Sequence, residues 1–210
     1  MESNLLPLSK EGISYLLYSL VLFVLFIILD FAFLAFFAFV STLFIAYSFR
    51  NPERELCVFE TASFLSPVDG IVESIEELEN HKFAYRIEIQ SSYRDVSVLR
   101  IPANVTVDKV LKINGTRVTK NSKLFSNLNE NAEISFITQE KNEFKLIHRL
   151  EKSFAPLFID LYAKKTLIQT ARYGLMLNGS TSIYLPQNFR VNTSIGSELK
   201  ASESLMGYFS

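Results

Sequence analysis

The chain has 210 residues, 49% of them hydrophobic, and a formal net charge of −1. Its single cysteine, Cys57, excludes an internal disulfide and a multi-cysteine metal cluster, and two histidines, His81 and His148, argue against a His-rich metal site. Setting aside Lys10, Arg50, Glu2, Glu11 and Asp30 leaves 19 basic and 19 acidic residues in 51–210, a balance without the electrostatic footprint of a nucleic-acid binder.

The first predicted elements lie in one apolar block, Gly12–Phe49, whose only charge is Asp30. A bilayer core is crossed by about 20 helical residues, so the block is too long for one untilted span. Divided at Asp30, it predicts a helical hairpin with legs at 13–29 and 31–49, making residues 1–50 a membrane anchor. The middle holds no Gly or Pro to make the turn, which keeps one tilted helix with an interfacial extension as the alternative. The block also exceeds the roughly 7–15-residue apolar core of a signal peptide, so it is read as retained. Lys10 precedes it and Arg50 and Arg54 follow, a positive excess on the C-terminal side that places residues 51–210 in the cytoplasm, at the inner membrane. Arg50 and Arg54 are expected at headgroup level, against anionic lipid. Asp30 is either a functional intramembrane carboxylate or a hairpin tip that reaches the interface.

From Ser66 onward the dominant period is two. Phe83–Ile89, Val105–Ile113 and Phe144–Leu150 alternate, with Gly, Asn and Pro between them. Residues 51–210 are therefore expected to form a mainly β, single sandwich- or barrel-like domain. "SPVDGIVESI" and "IPANVTVDKVL" share a Pro followed by Gly or Asn and then Val, and "FRVNTSIGSELKASESLMG" reads as the turn and closing strand of a lipoyl-type or barrel-hybrid unit. The one helix-like stretch is Pro156–Gln169, expected as a crossing element. In "YGLMLNGSTSIYLP", residues 173–186, Asn178-Gly179-Ser180 separates two apolar runs in the manner of a two-residue hairpin.

Five segments occur in register along the chain: "FRNPERE" after the apolar block, "LSPVDGIV" (Leu65–Val72), "YRDVSVLRIPANVTV" (Tyr93–Val107), "NENAE" (Asn129–Glu133) and "LNGSTSIYLP" (Leu177–Pro186). In order and spacing the chain resembles the short, membrane-anchored phosphatidylserine decarboxylases. The resemblance implies a pyruvoyl enzyme made by self-cleavage between Gly179 and Ser180. Ser180 Oγ would attack the Gly179 carbonyl in an N-to-O acyl shift. β-Elimination and hydrolysis would then leave a pyruvoyl group, the only cofactor implied, on residue 180. A Gly suits the acyl side because it has no Cβ to obstruct attack. The products would be a chain of 179 residues and a small subunit, 180–210, of 31. The substrate implied is phosphatidylserine in the bilayer, converted to phosphatidylethanolamine with the pyruvoyl group as electron sink.

A serine hydroxyl needs a base. By resemblance Asp69 of "SPVDG" is the family's carboxylate, working with a histidine; read alone, Pro-Val-Asp-Gly is a turn. The chain departs from the family at Ser97, which stands two positions after Asp95 where the histidine is usual. His148 shares a strand face with Phe144, Leu146 and Leu150 and is weighed as a substitute base or as a satisfied core residue. His81, in "ENHK", is read as a solvated loop residue. Arg100 matches the family's basic residue and is weighed as a contact for the substrate's phosphate or carboxylate, against an exposed strand end. Two other readings stand beside the decarboxylase. One is a catalytically impaired relative serving as a membrane-tethered lipid-binding or scaffold protein. The other is a lipoyl-like module of a membrane assembly, against which counts the absence of a lysine-bearing hairpin. Association into a homo-oligomer is left open.

Overall fold

The computed structural model describes residues 7–54, 62–79, 82–122 and 124–210, so Cys57 and His81 lie outside the described residues. The chain divides into two compact units, Met1–Glu53 and Arg54–Ser210.

In the first unit, helices α1 (Lys10–Ile28) and α2 (Ala32–Ser48) pack side by side. Their boundaries fall within three residues of the two expected legs. The turn is made without Gly or Pro because Asp30 takes a left-handed conformation, φ 57°, which aspartate tolerates better than most residues. At the open end the Ser9 N–H donates to the Phe49 carbonyl at 2.9 Å, and Gly12 lies where a Cβ would collide with the Phe49 side chain. Phe23 and Phe39 meet across the helices with centroids 5.5 Å apart. Helix α1 is long and apolar enough to cross a membrane; α2, at 17 residues, is apolar but shorter.

The second unit is mainly β. Its largest sheet has eight strands in the order β13-β2-β3-β11-β7-β6-β5-β9, every neighbouring pair antiparallel. In chain order these are β2 (Gly70–Glu77), β3 (Tyr85–Ser91), β5 (Val105–Ile113), β6 (Asn131–Thr138), β7 (Glu143–Leu150), β9 (Thr166–Leu167), β11 (Gly179–Leu185) and β13 (Glu198–Leu199). Two three-stranded sheets complete it. One joins β1 (Ser63–Leu65), β14 (Leu205–Phe209) and β12 (Phe189–Val191), and the other β4 (Val98–Arg100), β10 (Arg172–Leu175) and β8 (Phe158–Ile159). Period two explains the burial: Phe144, Leu146, His148 and Leu150 point inward on β7, as do Ala132, Ile134 and Phe136 on β6. Phe64 is the hub of the core, packing edge-on against Phe144, Phe189 and Phe209 at 5.0–5.8 Å. The shared Pro-containing stretches lead into β2 and β5, and each strand bulges just past its valine, between Val72 and Ser74 and between Val107 and Lys109.

Two local expectations are corrected. Pro156–Gln169 is not helical: Phe158–Ile159 pairs with β10, Thr166–Leu167 pairs with β5, and Lys164 between them has φ 68°. Strand partners on both sides outweigh the local helical pattern. Asn178-Gly179 is not a two-residue hairpin either, because β10 and β11 belong to different sheets and Gly179 already pairs with Ser91 and Leu150. The short helix α3 (Phe125–Leu128) was not signalled by the sequence pattern.

Candidate active site

Strand β11 lies at the centre of the large sheet, and Ser180 is its second residue. One row of side chains crosses the sheet there: Ile71 on β2, Gln90 on β3, Ser180, Arg149 on β7 and Asn131 on β6. The next row holds Val72, Ile89, Thr181, His148 and Ala132, and it faces the core. Adjacent residues of a strand project to opposite faces. Ser180 therefore lies on the outer face and His148 on the inner one.

The outer face is covered over Ser180, which is only 1% exposed. Lys120 and Phe125 lie across it. Lys120 Nζ pairs with Glu73 and, at 2.9 Å, with Glu88, while the Lys120 N–H donates to Glu151 Oε1. The Phe125 ring lies 5.5 Å from the Arg149 guanidinium. Beneath this cover Ser180 Oγ is buried and has no hydrogen-bond partner among the described residues. Gly179 is required by space, since a Cβ there would collide with the Arg149 carbonyl oxygen.

The motif segments converge on this point through the backbone. Ser91, opposite Gly179, donates its Oγ to the Asp69 carbonyl at 2.6 Å. The Arg100 N–H donates to the Pro67 carbonyl at 2.9 Å, and the Met176 N–H to the Ser97 carbonyl at 2.8 Å. "SPVDG", "DVSVLR" and "LNGST" thus meet, although they are far apart in sequence.

Their side chains are engaged differently from expectation. One oxygen of the Asp69 carboxylate pairs with Arg54 Nη2 at 2.5 Å and the other accepts the Ala201 N–H at 2.8 Å. Arg54 is buried in this pair and also reaches Glu203 at 3.4 Å, so its guanidinium is engaged by carboxylates of the β unit. The stretch is more than a turn, because Ala201 and Glu203 come from the C-terminal segment. Arg100 is buried, 5% exposed, and pairs in register with Arg172; it is not an exposed strand end. Ser97 is buried and carries no imidazole to offer Ser180.

His148 is not brought to Ser180. Its Nδ1 lies 2.9 Å from Thr181 Oγ1 and its Nε2 2.6 Å from the Tyr173 hydroxyl, so both ring nitrogens are satisfied. Burial pushes the imidazole down to about 3 and the Tyr173 phenol well above its ordinary value. At neutral pH the ring is uncharged, one nitrogen donating and the other accepting. The alternation of Ile183 and Leu185 with Ser180 and Ser182 already signals opposite faces for His148 and Ser180. Sequence reasoning missed Gln90, Arg149, Thr181 and Tyr173 because only cross-strand register brings them to this place. Among the described residues no group of three His, Cys, Asp or Glu side chains could hold a metal ion.

The family model described as phosphatidylserine decarboxylase matches residues 41–207. The phosphatidylserine decarboxylase proenzyme of Desulfotalea psychrophila is 26% identical over 206 residues, 96% of each chain. That of Geobacter metallireducens is 31% identical over 175 residues, 79% of this chain and 78% of the relative, and that of Syntrophus aciditrophicus 27% over 175.

Proposed function

The chain belongs to the phosphatidylserine decarboxylase family, and from that premise we propose that it is a membrane-anchored proenzyme that cleaves itself between Gly179 and Ser180 and decarboxylates phosphatidylserine to phosphatidylethanolamine. The observation that carries this reading is Ser180 itself: a buried hydroxyl without a partner, beside a glycine carbonyl, on the central strand. Buried polar atoms are ordinarily bonded, so an orphan hydroxyl at this peptide calls for a reason. Attack of Oγ on the Gly179 carbonyl breaks the peptide C–N bond and forms an ester. Elimination then breaks the Cβ–Oγ bond, releasing the 1–179 chain with a free carboxylate. Water finally displaces ammonia from residue 180.

The residues present fit the pyruvoyl group the family implies. Ser180 supplies its carbon skeleton, and no side chain at residue 179 crowds it. When in place the group offers a carbonyl that takes up the substrate amine and draws electrons as CO₂ leaves. The chain's own residues hold the surroundings. Asp69 is fixed by Arg54 and Ala201 and positions the loop bonded to Ser91. Thr181, tied through His148 to Tyr173, fixes the peptide that follows residue 180. Ser180, only 1% exposed, is shut off from bulk water. Helices α1 and α2 serve as the anchor, with the second unit on the cytoplasmic side, confining the enzyme to the surface that holds its substrate.

A second reading is favoured by one observation. Among the described residues neither an imidazole nor a carboxylate hydrogen-bonds Ser180 Oγ, and by the resemblance Ser97 stands where a histidine is usual. On this reading the chain is a tethered lipid-binding relative with impaired chemistry. Intact-mass measurement of the purified full chain separates the two. Fragments of 179 and 31 residues, abolished by Ser180→Ala, support the decarboxylase; a single uncut 24.0 kDa chain sinks it. If an absent base limits the reaction, Ser97→His accelerates cleavage by roughly 10²-fold or more, the usual contribution of a placed general base. An unchanged rate would remove Ser97 from the explanation.

A further inference from the structure

Three buried polar atoms lie in one row across the sheet without hydrogen-bond partners among the described residues: Gln90 Oε1, Ser180 Oγ and Arg149 Nε. Directly paired residues bring their Cβ atoms to about 4.5–5.5 Å, so Gln90 and Arg149 flank Ser180 at side-chain reach. Among the described residues the Arg149 side chain makes no ion pair or hydrogen bond. Its guanidinium carbon lies 5.5 Å from the centre of the Phe125 ring, a contact that uses none of the N–H donors of a guanidinium. Its buried Nε–H lacks an acceptor, a cost that an anion joining the guanidinium would relieve. On the other side, Gln90 Nε2 is held by Glu151 Oε2 at 3.3 Å and by the Ser91 carbonyl at 3.4 Å, which leaves Oε1 as a free acceptor. The carboxylates on this face are engaged elsewhere, Glu88 with Lys120 and Arg86, and Glu151 with Thr119, Gln90 and the Lys120 N–H.

An acceptor on one side of the reacting residue and an unused cationic fork on the other match a zwitterion. We propose that Gln90 and Arg149 form the polar-head subsite of this protein, Gln90 Oε1 receiving the substrate amine and Arg149 the phosphodiester. The proposal rests on the reading of Ser180 as the processed residue. It makes Arg149 a substrate-binding residue and assigns Phe125, which lies against its guanidinium, to the same subsite.

The test uses the full chain in detergent and three probes at equal ionic strength: glycerophosphoethanolamine, glycerol 3-phosphate and inorganic phosphate. Glycerophosphoethanolamine at ten times its Kd is expected to raise the unfolding midpoint by roughly 3 °C or more, with glycerol 3-phosphate weaker and inorganic phosphate weakest. Arg149→Gln removes most of the rise, and Arg149→Lys, which keeps the charge without the fork, removes part of it. In the processed fraction Arg149→Gln raises KM for phosphatidylserine in mixed micelles roughly ten- to a hundredfold, with a smaller change in kcat. Unchanged stabilisation and KM in both variants overturn the subsite, as does inorganic phosphate acting as strongly as the zwitterion. Should Arg149→Gln fail to fold, Arg149→Lys carries the test alone, and an unaltered response in it overturns the proposal. If the parent chain stays uncut, the KM arm falls with the decarboxylase reading while the stabilisation arm still decides Arg149.

Discussion

His148 and Ser180 stand on opposite faces of adjacent strands, and that difference of one residue in phase decides their chemistry. His148 is fully buried, satisfied by Thr181 and Tyr173, and held neutral with a pKa of about 3 by desolvation. Such a group fixes structure; it is a poor base at neutral pH. It also makes stability depend on pH with a definite sign. The unfolded chain binds a proton at His148 near 6.5 while the folded chain does not until about 3. Stability is therefore full above about pH 6.5 and falls as pH drops toward 3, by up to about 1.4 kcal/mol per pH unit from this residue. Denaturation midpoints of the full chain between pH 8 and 4 test this. His148→Gln should flatten the slope whatever it does at pH 8; an identical slope in the variant would reassign the dependence to carboxylates.

At the level of the element, β11 is unusual in being buried on both faces and in carrying serine and threonine where central strands carry apolar residues. The inner face is satisfied by the His148–Thr181 bond, while the outer face leaves Ser180 open beneath its cover. Gly179 lets the strand begin against the Arg149 carbonyl, so the proposed cleavage point is also a place of close backbone approach. Adding one methyl there should cost roughly 1–3 kcal/mol, as overpacking does. The comparison belongs in a Ser180→Ala background, where the chain stays whole: the Gly179→Ala/Ser180→Ala chain should unfold at lower denaturant than Ser180→Ala alone. Equal midpoints would show that β11 shifts freely at its first residue. The bulges just past Val72 and Val107 show how the two related stretches are used, each turning a Pro-led entry into a strand of the same sheet.

For the whole molecule, the segment 180–210 is woven into the rest. It supplies nearly all of β11 between β3 and β7, β13 beside β2, and β14 beside β1 with β12 on its far side. Its Phe189 and Phe209 pack on Phe64, and its Ala201 and Glu203 hold the Asp69–Arg54 pair. Cutting the Gly179–Ser180 bond removes none of these contacts. The 31-residue product should accordingly co-elute with the 179-residue product on native size-exclusion chromatography in detergent and separate only in denaturant. Its loss under native conditions would contradict the packing described.

Apolar run length, strand alternation and the five motifs in register are local properties, and the sequence by itself determined them: two apolar helices ahead of a mainly β unit, the family, and Gly179-Ser180 as the peptide of interest. Asp30 as the turn was legible too, though not the left-handed backbone that lets it serve without Gly or Pro. Pro156–Gln169 was misread because its helical pattern yields to strand partners supplied by β5 and β10. Tertiary structure alone decided which side chains share a row. Arg149 beside Ser180, Thr181 on His148 and Arg54 on Asp69 all depend on pairing between segments 15 to 33 residues apart or across sheets. Register is set by the packing of the whole core, and a slip of one residue between β7 and β11 could put His148 in place of Arg149 beside Ser180.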